Sequence, residues 1–536
     1  MKQRSDGRVL GFLIVLALSL IAQPAITAQV RQQRDRVVTP QLRRIVRPLV
    51  PQAGMPLRLT PERAAAFVLA RDRGLNYVPG EVIVKFRSGI TTAGQQRALQ
   101  SLRSRPPVSA LRWIGDSAVL HDYARTDSHA LAAELRLQPE VEFAEPNYIL
   151  RVPKTRRAAA RPLRARLDAG LTPNDPEFQD LQWNLRIMDI DRAWDIQPGG
   201  DPDLVVAVVD TGVTTVNQNF TFPLWTGFSI QNFSLPFRVS PDFDASRFVP
   251  GEDFVFASPG GVLLDMEGHG THMAATIAQE TNNALATAGI AFRVKIMPIK
   301  SCITYWELQI VRSQSGIPGF VPPDAGDCPS DAIAQGIRHA AENGAKVINV
   351  SLGGPGQSQA IRSAITFAVQ RGAFVVAAMG NEGDDDNDTS FPAGDAPSIE
   401  GLMSVAAIGQ SKRRAPYSSS GSHAEIAAPG GDFDDGGDEG GIWQVSIDFE
   451  FNDPFTVIVP RFDEYAIIGT QGTSSATAHI AGIAALIMSQ GVTSPAAVEA
   501  LMRATAEDIA AAGRDNDTGH GLANARRALR GLGIAR

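Results

Sequence analysis

LVVAVVDTG, residues 204–212, runs through six apolar side chains and closes on an aspartate followed by Thr-Gly. Six residues are short for a helix, and their β-branched content favours a strand. The lack of polar alternation means that both faces of that strand are covered. Four more runs of this kind come after it: VKIMPI (294–299), KVINVSL (346–352), AFVVAAM (373–379) and MSVAAI (403–408). Helical patterning over 330–343 and 358–371 separates them. Buried strands alternating with helices predict a mostly parallel central sheet in a three-layer α/β fold. Ligands of such sheets sit outside the carboxyl ends of the strands, so polar residues there are the first functional candidates.

Asp210 is the first of these. A carboxylate closing a buried strand costs several kcal/mol unless it is paired, so it needs a partner such as a histidine. GHGTHMAATIA (268–278) supplies His269 on a glycine-flanked turn entering a helix, and His272 one turn on reads as a packing residue. GTSSATAHIAGIAALI (472–487) puts Ser474 at the start of an apolar helix, where unpaired N–H groups and the helix dipole favour an oxyanion. Asn381, after FVVAAMG, offers a second hydrogen bond to the same charge. Asp-Thr-Gly also occurs at Asp517, the pattern of an aspartic dyad, but no apolar strand precedes it and that reading leaves His269 and Ser474 unused.

The order Asp, His, Ser within VVDTG, GHGTH and GTSSATAH resembles the subtilisin-like serine proteases, or subtilases. The similarity continues through SLGG (351–354), AAMGNEG (377–383), FPA (391–393), YSSSG (417–421), AAPG (427–430) and GHGLANA (519–525). VPGEVIVKF and VEFAEPNYI are similar to that family's inhibitory propeptide. The resemblance implies a nucleophilic Ser474, a general base His269, an orienting Asp210 and an oxyanion hole of Asn381 with the Ser474 N–H. It also implies that Ser351, Leu352 and Gly353 pair with an extended substrate. Ala478 stands where the family usually has proline, Ser475 where methionine is common, and Ala275 where glycine is common. No cofactor is needed for the chemistry. A calcium site of some relatives would fall on Gln179, Asn219 and the loop after Asn282-Asn283, but Asn219 in place of aspartate leaves it open.

Outward from this core, Lys2, Arg4 and Arg8 precede an apolar run, Val9 to Ala22, with the length and polarity of an export signal ending near Ala28. Residues 29–75 read as a basic, Pro- and Arg-rich lead-in with only short helical patterning near Pro61, and 76–150 as a small α/β propeptide. A linker with the processing site covers 151–171 and the catalytic domain 172–536. Residues 151–167 hold seven Arg or Lys and no acid. Residues 1–167 carry 28 Lys and Arg against 12 Asp and Glu, a charge of +16; the rest carries 22 against 45, or −23. A body that acidic is no nucleic-acid binder. The partners expected are protein or peptide substrates and the chain's own propeptide, on a monomer without a membrane span once the signal is removed. The location expected is extracellular or periplasmic, where Cys302 and Cys328 close a disulfide. Two acidic insertions, 384–388 and 432–439, read as solvated loops, and 442–468 either lines the cleft or covers a sheet edge.

Overall fold

VIV at 82–84 is unbroken because the strand that carries it is covered on both sides. In the computed structural model, Tyr77–Phe86 (β1) pairs antiparallel with Ser117–His121 (β3) and Val141–Arg151 (β4), and Leu111–Ile114 (β2) pairs with β3. Val82 and Val84 pack with Leu99, Leu131 and Leu135 of the helices Thr92–Gln100 and Ser128–Arg136. Ile83, Val119 and Leu150, on the other face, join the core of the main body. The structure describes residues 57, 59–153, 156–164, 173–256, 262–321, 326–448 and 459–531. The chain divides into two compact units, Met1–Pro51 and Gln52–Arg536, and the first, with the expected signal, lies outside the described residues.

The main body is built on Val205–Asp210 (β5). After the hairpin Gln218–Trp225 (β6) and Ile230–Phe237 (β7) come Glu252–Asp253 (β8), Lys295–Lys300 (β9) and Asp327–Pro329 (β10). Val347–Val350 (β11), Phe374–Ala378 (β12), Leu402–Ile408 (β13) and Ile426–Pro429 (β14) complete the sheet. Its order is β14-β13-β12-β11-β5-β9-β8, parallel throughout. The predicted α/β sandwich is therefore found, with β11, β12 and β13 buried along their whole length. Helices Ser330–Glu342 and Gln359–Gln370 pack together on the sheet, as do His269–Ala278 and Thr473–Ser489. The order reverses beside β5, so its carboxyl end opens into the crevice where such sheets bind ligands.

Two features depart from the sequence reading. Pro61–Arg73 is a full helix, capped by Thr60 and ended by Gly74 in the left-handed region, inside what reads as a loose lead-in. Its Phe67 and Val68 pack with Phe222, Leu308 and Val311, so tertiary burial holds a segment whose arginines and single apolar stripe gave a weak signal. Cys302 and Cys328 are bonded, as expected, but the loop they close carries the helix Tyr305–Gln314, against which the first helix rests.

β4 is also the seam between the two parts of the described unit, since β10 pairs with it and extends the N-terminal sheet. Glu145 on β4 accepts from Ser358 Oγ (2.8 Å), Gln359 N (2.9 Å) and Ala360 N (3.1 Å), satisfying first-turn N–H groups that the helix Gln359–Gln370 does not pair itself. Beside it lies a buried ionic cluster. Arg63 sits 2.9 Å from Asp331 and 3.1 Å from Glu81, Asn147 Nδ2 donates to both carboxylates, and Arg112 reaches Asp331. Burial would push the Asp331 carboxyl up, but Arg63 and Arg112 hold it well below the usual carboxylate range. Its stabilisation is thus present above about pH 4 and lost as pH falls through the depressed value. Asp331→Ala leaves Arg63, itself buried, without its main counter-ion and lowers stability by about 3–5 kcal/mol. Chemical unfolding measures this; an unchanged midpoint means that the cluster contributes no net energy.

Candidate functional site

Asp210, the last residue of β5, is fully buried, and its Oδ1 lies 2.7 Å from Nδ1 of His269, the first residue of its helix. The carboxylate accepts, so Nδ1 carries the proton and Nε2 is left as an acceptor. Burial pulls the His269 pKa down, but the charge and hydrogen bond of Asp210, with Glu267 and Asp265 behind, outweigh it and leave it raised. The turn that presents His269 is braced by Asp265, which sequence reading missed. Asp265 Oδ1 accepts from Gly268 N (2.8 Å) and Thr211 Oγ1 (3.0 Å), and Oδ2 from Thr271 N (3.0 Å). Gly270 is required here because a Cβ would stand 2.2 Å from the Gly212 carbonyl oxygen.

A second group missed by the sequence reading is Lys300, which ends β9 beside Asp210. Its fully buried ammonium lies 2.7 Å from Glu307 Oε1 and also donates to the Thr211 carbonyl, so it ties the Asp210 turn to the disulfide-closed insertion. A lysine ending an apolar run is the signal that marks it, once the rule applied to Asp210 is applied to cations as well.

Ser474 lies in the first turn of Thr473–Ser489, a position whose N–H groups the helix itself leaves unpaired. Its Oγ donates to the Ser351 carbonyl at 3.1 Å, while Ser351 Oγ donates to the Ser474 carbonyl at 3.0 Å. His269 Nε2 has no hydrogen-bond partner among the described residues, so the serine is turned from the imidazole toward β11. Asn381 follows β12, and its Oδ1 accepts from Thr473 N (2.9 Å) and Thr473 Oγ1 (2.8 Å). With its oxygen held against the serine helix, the amide presents its N–H₂ end to the other side. The helix is continuous through Ala478, and Ser475 Oγ meets Thr470 Oγ1 at 3.4 Å, so the departures there cost no element.

The cleft is filled by the chain itself. Arg151 and Gly353 exchange both backbone hydrogen bonds, at 2.8 and 3.0 Å, and Val152 N donates to Gly326 O at 3.3 Å. Residues 149–152 are thus a central strand between β10 and Gly353, and the antiparallel register carries Pro153 opposite Ser351. Of the three predicted substrate-pairing residues, Gly353 makes this contact; Leu352 is wholly in the core, and Ser351 faces Ser474.

Other candidates resolve differently. His272 is buried with Nε2 3.2 Å from the Ile442 and Ile468 carbonyls, and burial pulls its pKa down to about 3, which fits packing. Asp517 is exposed and pairs with Arg414, so it forms no dyad with Asp210. Asn219, the expected cation position, is exposed on β6 with Arg238, and Gln179 is exposed. Asp175 and Asp242 converge on the Asn282-Asn283 loop instead, with Asp175 Oδ2 accepting from Asn282 N (2.8 Å) and Asp242 Oδ1 from Asn283 Nδ2 (2.6 Å). Both lie far along the sequence from that loop and carried no local motif. Among the described residues no three His, Cys, Asp or Glu side chains group as metal ligands, the two acidic insertions included.

With this geometry in view, the sequence model of the Subtilase family matches residues 201–521, more than half of the chain. The chain belongs to the subtilase family. Residues 63–147 match the Fervidolysin N-terminal prodomain, which begins within the helix Pro61–Arg73, not at residue 76. This subtilase is 29% identical over 432 residues to a thermophilic serine proteinase of Bacillus sp. strain AK1, covering 81% of this chain and 83% of that one. It is 30% identical over 424 residues to an extracellular protease of Xanthomonas campestris pv. campestris, covering 77% and 63%. Crystalline fervidolysin from Fervidobacterium pennivorans shares the fold, with a TM-score of 0.59 at 22% identity over 85% of this chain and 61% of that one. The protein is accordingly a subtilisin-like serine protease with a prodomain.

Thr473→Val removes one of the two groups aiming Asn381 while leaving the amide in place. Peptidase turnover should fall about tenfold with the Michaelis constant little changed, less than the hundredfold or more of losing a donor outright. Steady-state kinetics decide; an effect confined to the Michaelis constant means that Asn381 does not act on the transition state.

Proposed function

We propose that this subtilase is an exported endopeptidase, made as a zymogen, that cleaves peptide bonds through an acyl-enzyme on Ser474. The observation that carries this is the buried Asp210–His269 hydrogen bond beside a serine whose cleft already holds an extended strand of the same chain. After Ser474 rotates, His269 Nε2 takes the Oγ proton as Oγ attacks the carbonyl carbon. The resulting oxyanion accepts from Asn381 Nδ2 and Ser474 N, at donors already aimed before reaction. Collapse breaks the C–N bond, and His269 returns the proton to the leaving amine. Water then repeats the sequence on the ester. Asp210 stays ionised and keeps the imidazolium oriented. Backbone pairing at Gly353 reads the substrate as a strand, which gives broad tolerance on that side.

The first substrate in this reading is the linker, cut beyond Pro153, with residues 61–150 remaining as inhibitor. Export rests on the apolar run near the start and on relatives such as the extracellular Xanthomonas protease; no helix among the described residues is long and apolar enough to cross a membrane. Ser474→Ala abolishes hydrolysis, by the roughly millionfold loss of turnover found in subtilisin itself, and leaves the precursor uncut between 151 and 171. Mass spectrometry of the purified precursor tests this, and a normal cut in the variant assigns maturation to another protease.

Calcium belongs to this proposal as a structural ion, not a reactant. Asp175 Oδ1 is buried without a hydrogen-bond partner, and burial together with the Asp175 charge pushes Asp242 up to about 8. Two buried carboxylates at the Asn282-Asn283 loop, one with an oxygen that no donor reaches, suit a hard cation better than they suit each other. Millimolar calcium should raise the unfolding temperature of Ser474→Ala protein by about 5 °C, and Asp242→Asn should remove the response. A melt indifferent to calcium and to chelator refutes the site.

A further inference from the structure

The linker does not leave the protein after crossing the cleft. Beyond it lies the hairpin Ile442–Ile447 (β15) and Tyr465–Thr470 (β16), and residues 156–161 run antiparallel along the β16 edge through bridges at Arg157 and Arg161. Ala158 N donates to Gly469 O (2.9 Å), Arg161 N to Ile467 O (2.9 Å), and Ile467 N to Arg161 O (2.8 Å). Gln471 N donates to Arg156 O at 3.3 Å. Since residues 149–152 occupy one side of Ser474, this edge receives the residues on the leaving side of the scissile bond.

Each arginine of the strand meets a built receiver. Arg157 Nη2 donates to Glu267 Oε1 (3.0 Å) and to the Glu267 carbonyl (3.1 Å). Arg156 pairs with Asp434 at 3.0 Å and lies 5.4 Å over the Phe433 ring, whose backbone N–H is held by Gln471 Oε1. Arg161 lies 4.4 Å over the indole of Trp443. That indole can lie flat across the hairpin because its cross-strand neighbour is Gly469, where a Cβ would come within 2.7 Å of the ring. An exposed ion pair alone is weak, but cation–π stacking and a strand's backbone bonds act in the same register. The acidic 432–439 insertion and the 442–468 insertion thus supply one surface.

We propose that the β16 edge, flanked by Glu267, Phe433, Asp434 and Trp443, is a leaving-side substrate subsite. It selects extended chains with two adjacent arginines and a third four residues on. The inference rests on the reading that Ser474 cleaves peptides, and adds a sequence preference to it. The test uses enzyme cut by an added protease at a site introduced after Arg164 and separated from the released N-terminal part, its new N-terminus read by mass, so that residues 154–164 no longer hold the edge. Two internally quenched peptides share one half before the scissile bond. One continues with residues 154–164 of this chain, and the other carries Arg156→Ala, Arg157→Ala and Arg161→Ala. The arginine peptide should show a kcat/KM at least tenfold higher, with the ratio shrinking between about 0.05 and 0.5 M salt, and Asp434→Lys should narrow it. A chromogenic amide with no residue after the scissile bond reports the chemistry alone. Equal rates for the two peptides while that amide is turned over overturn the subsite. No turnover of the amide removes the protease reading instead. In that case, fluorescence anisotropy of the labelled 154–164 peptide against its alanine version on the same protein decides the subsite, and equal binding overturns it.

Discussion

A carboxylate without solvent at the end of a strand buried on both faces has to find a partner inside the protein, and for Asp210 that partner is His269. Much of the architecture serves that one hydrogen bond. The parallel sheet brings Asp210 to the crevice beside the order reversal, Asp265 fixes the turn that delivers the imidazole, and Gly270 lets the turn approach the Gly212 carbonyl. Lys300 and Glu307 hold the other side of the same turn. Removing any of these leaves a buried polar group short of a partner, which is why so many of them are charged and yet not exposed.

The second organising element is β4 and its continuation. One run of chain, from Val141 to Arg161, closes the N-terminal sheet, caps a helix of the main body through Glu145, fills the cleft against Gly353 and then adds to the β16 edge. The surfaces it covers are sheet edges and helix ends, places where the main body offers unpaired backbone groups. In the proposed zymogen, inhibition and presentation of the linker become one geometry, because residues 149–152 pair with Gly353 and residues 156–161 with the β16 edge.

The charge asymmetry takes a specific form in this structure. The basic half does not only face an acidic half at long range. Arg63 and Arg112 enter a buried cluster on Asp331, Arg71 and Arg151 meet Asp327, and Arg156 and Arg157 meet Asp434 and Glu267. The first two groups are largely withdrawn from water and are felt as stability, whereas the last is exposed and is felt as selectivity that salt can screen.

The strands of the main sheet, the helices between them, and Asp210, His269, Ser474 and Asn381 were legible in the sequence, because unbroken apolar runs and polar residues at their ends report on local patterns of a few residues. The small α/β unit over 76–150 was legible for the same reason, though not the antiparallel pairing of its strands. The helix Pro61–Arg73 was not, since its stability comes from Phe222 and Val311 far along the chain. Nor were Asp175 and Asp242, which reach the Asn283 loop only through the fold, the displacement of Ser474 Oγ toward Ser351, or the seat of Arg156, Arg157 and Arg161. The sequence by itself determined which residues are chemically able to act, since backbone periodicity and the cost of burying charge are local; which of them meet, and what covers them, depends on contacts between segments hundreds of residues apart, and only the tertiary structure decides those.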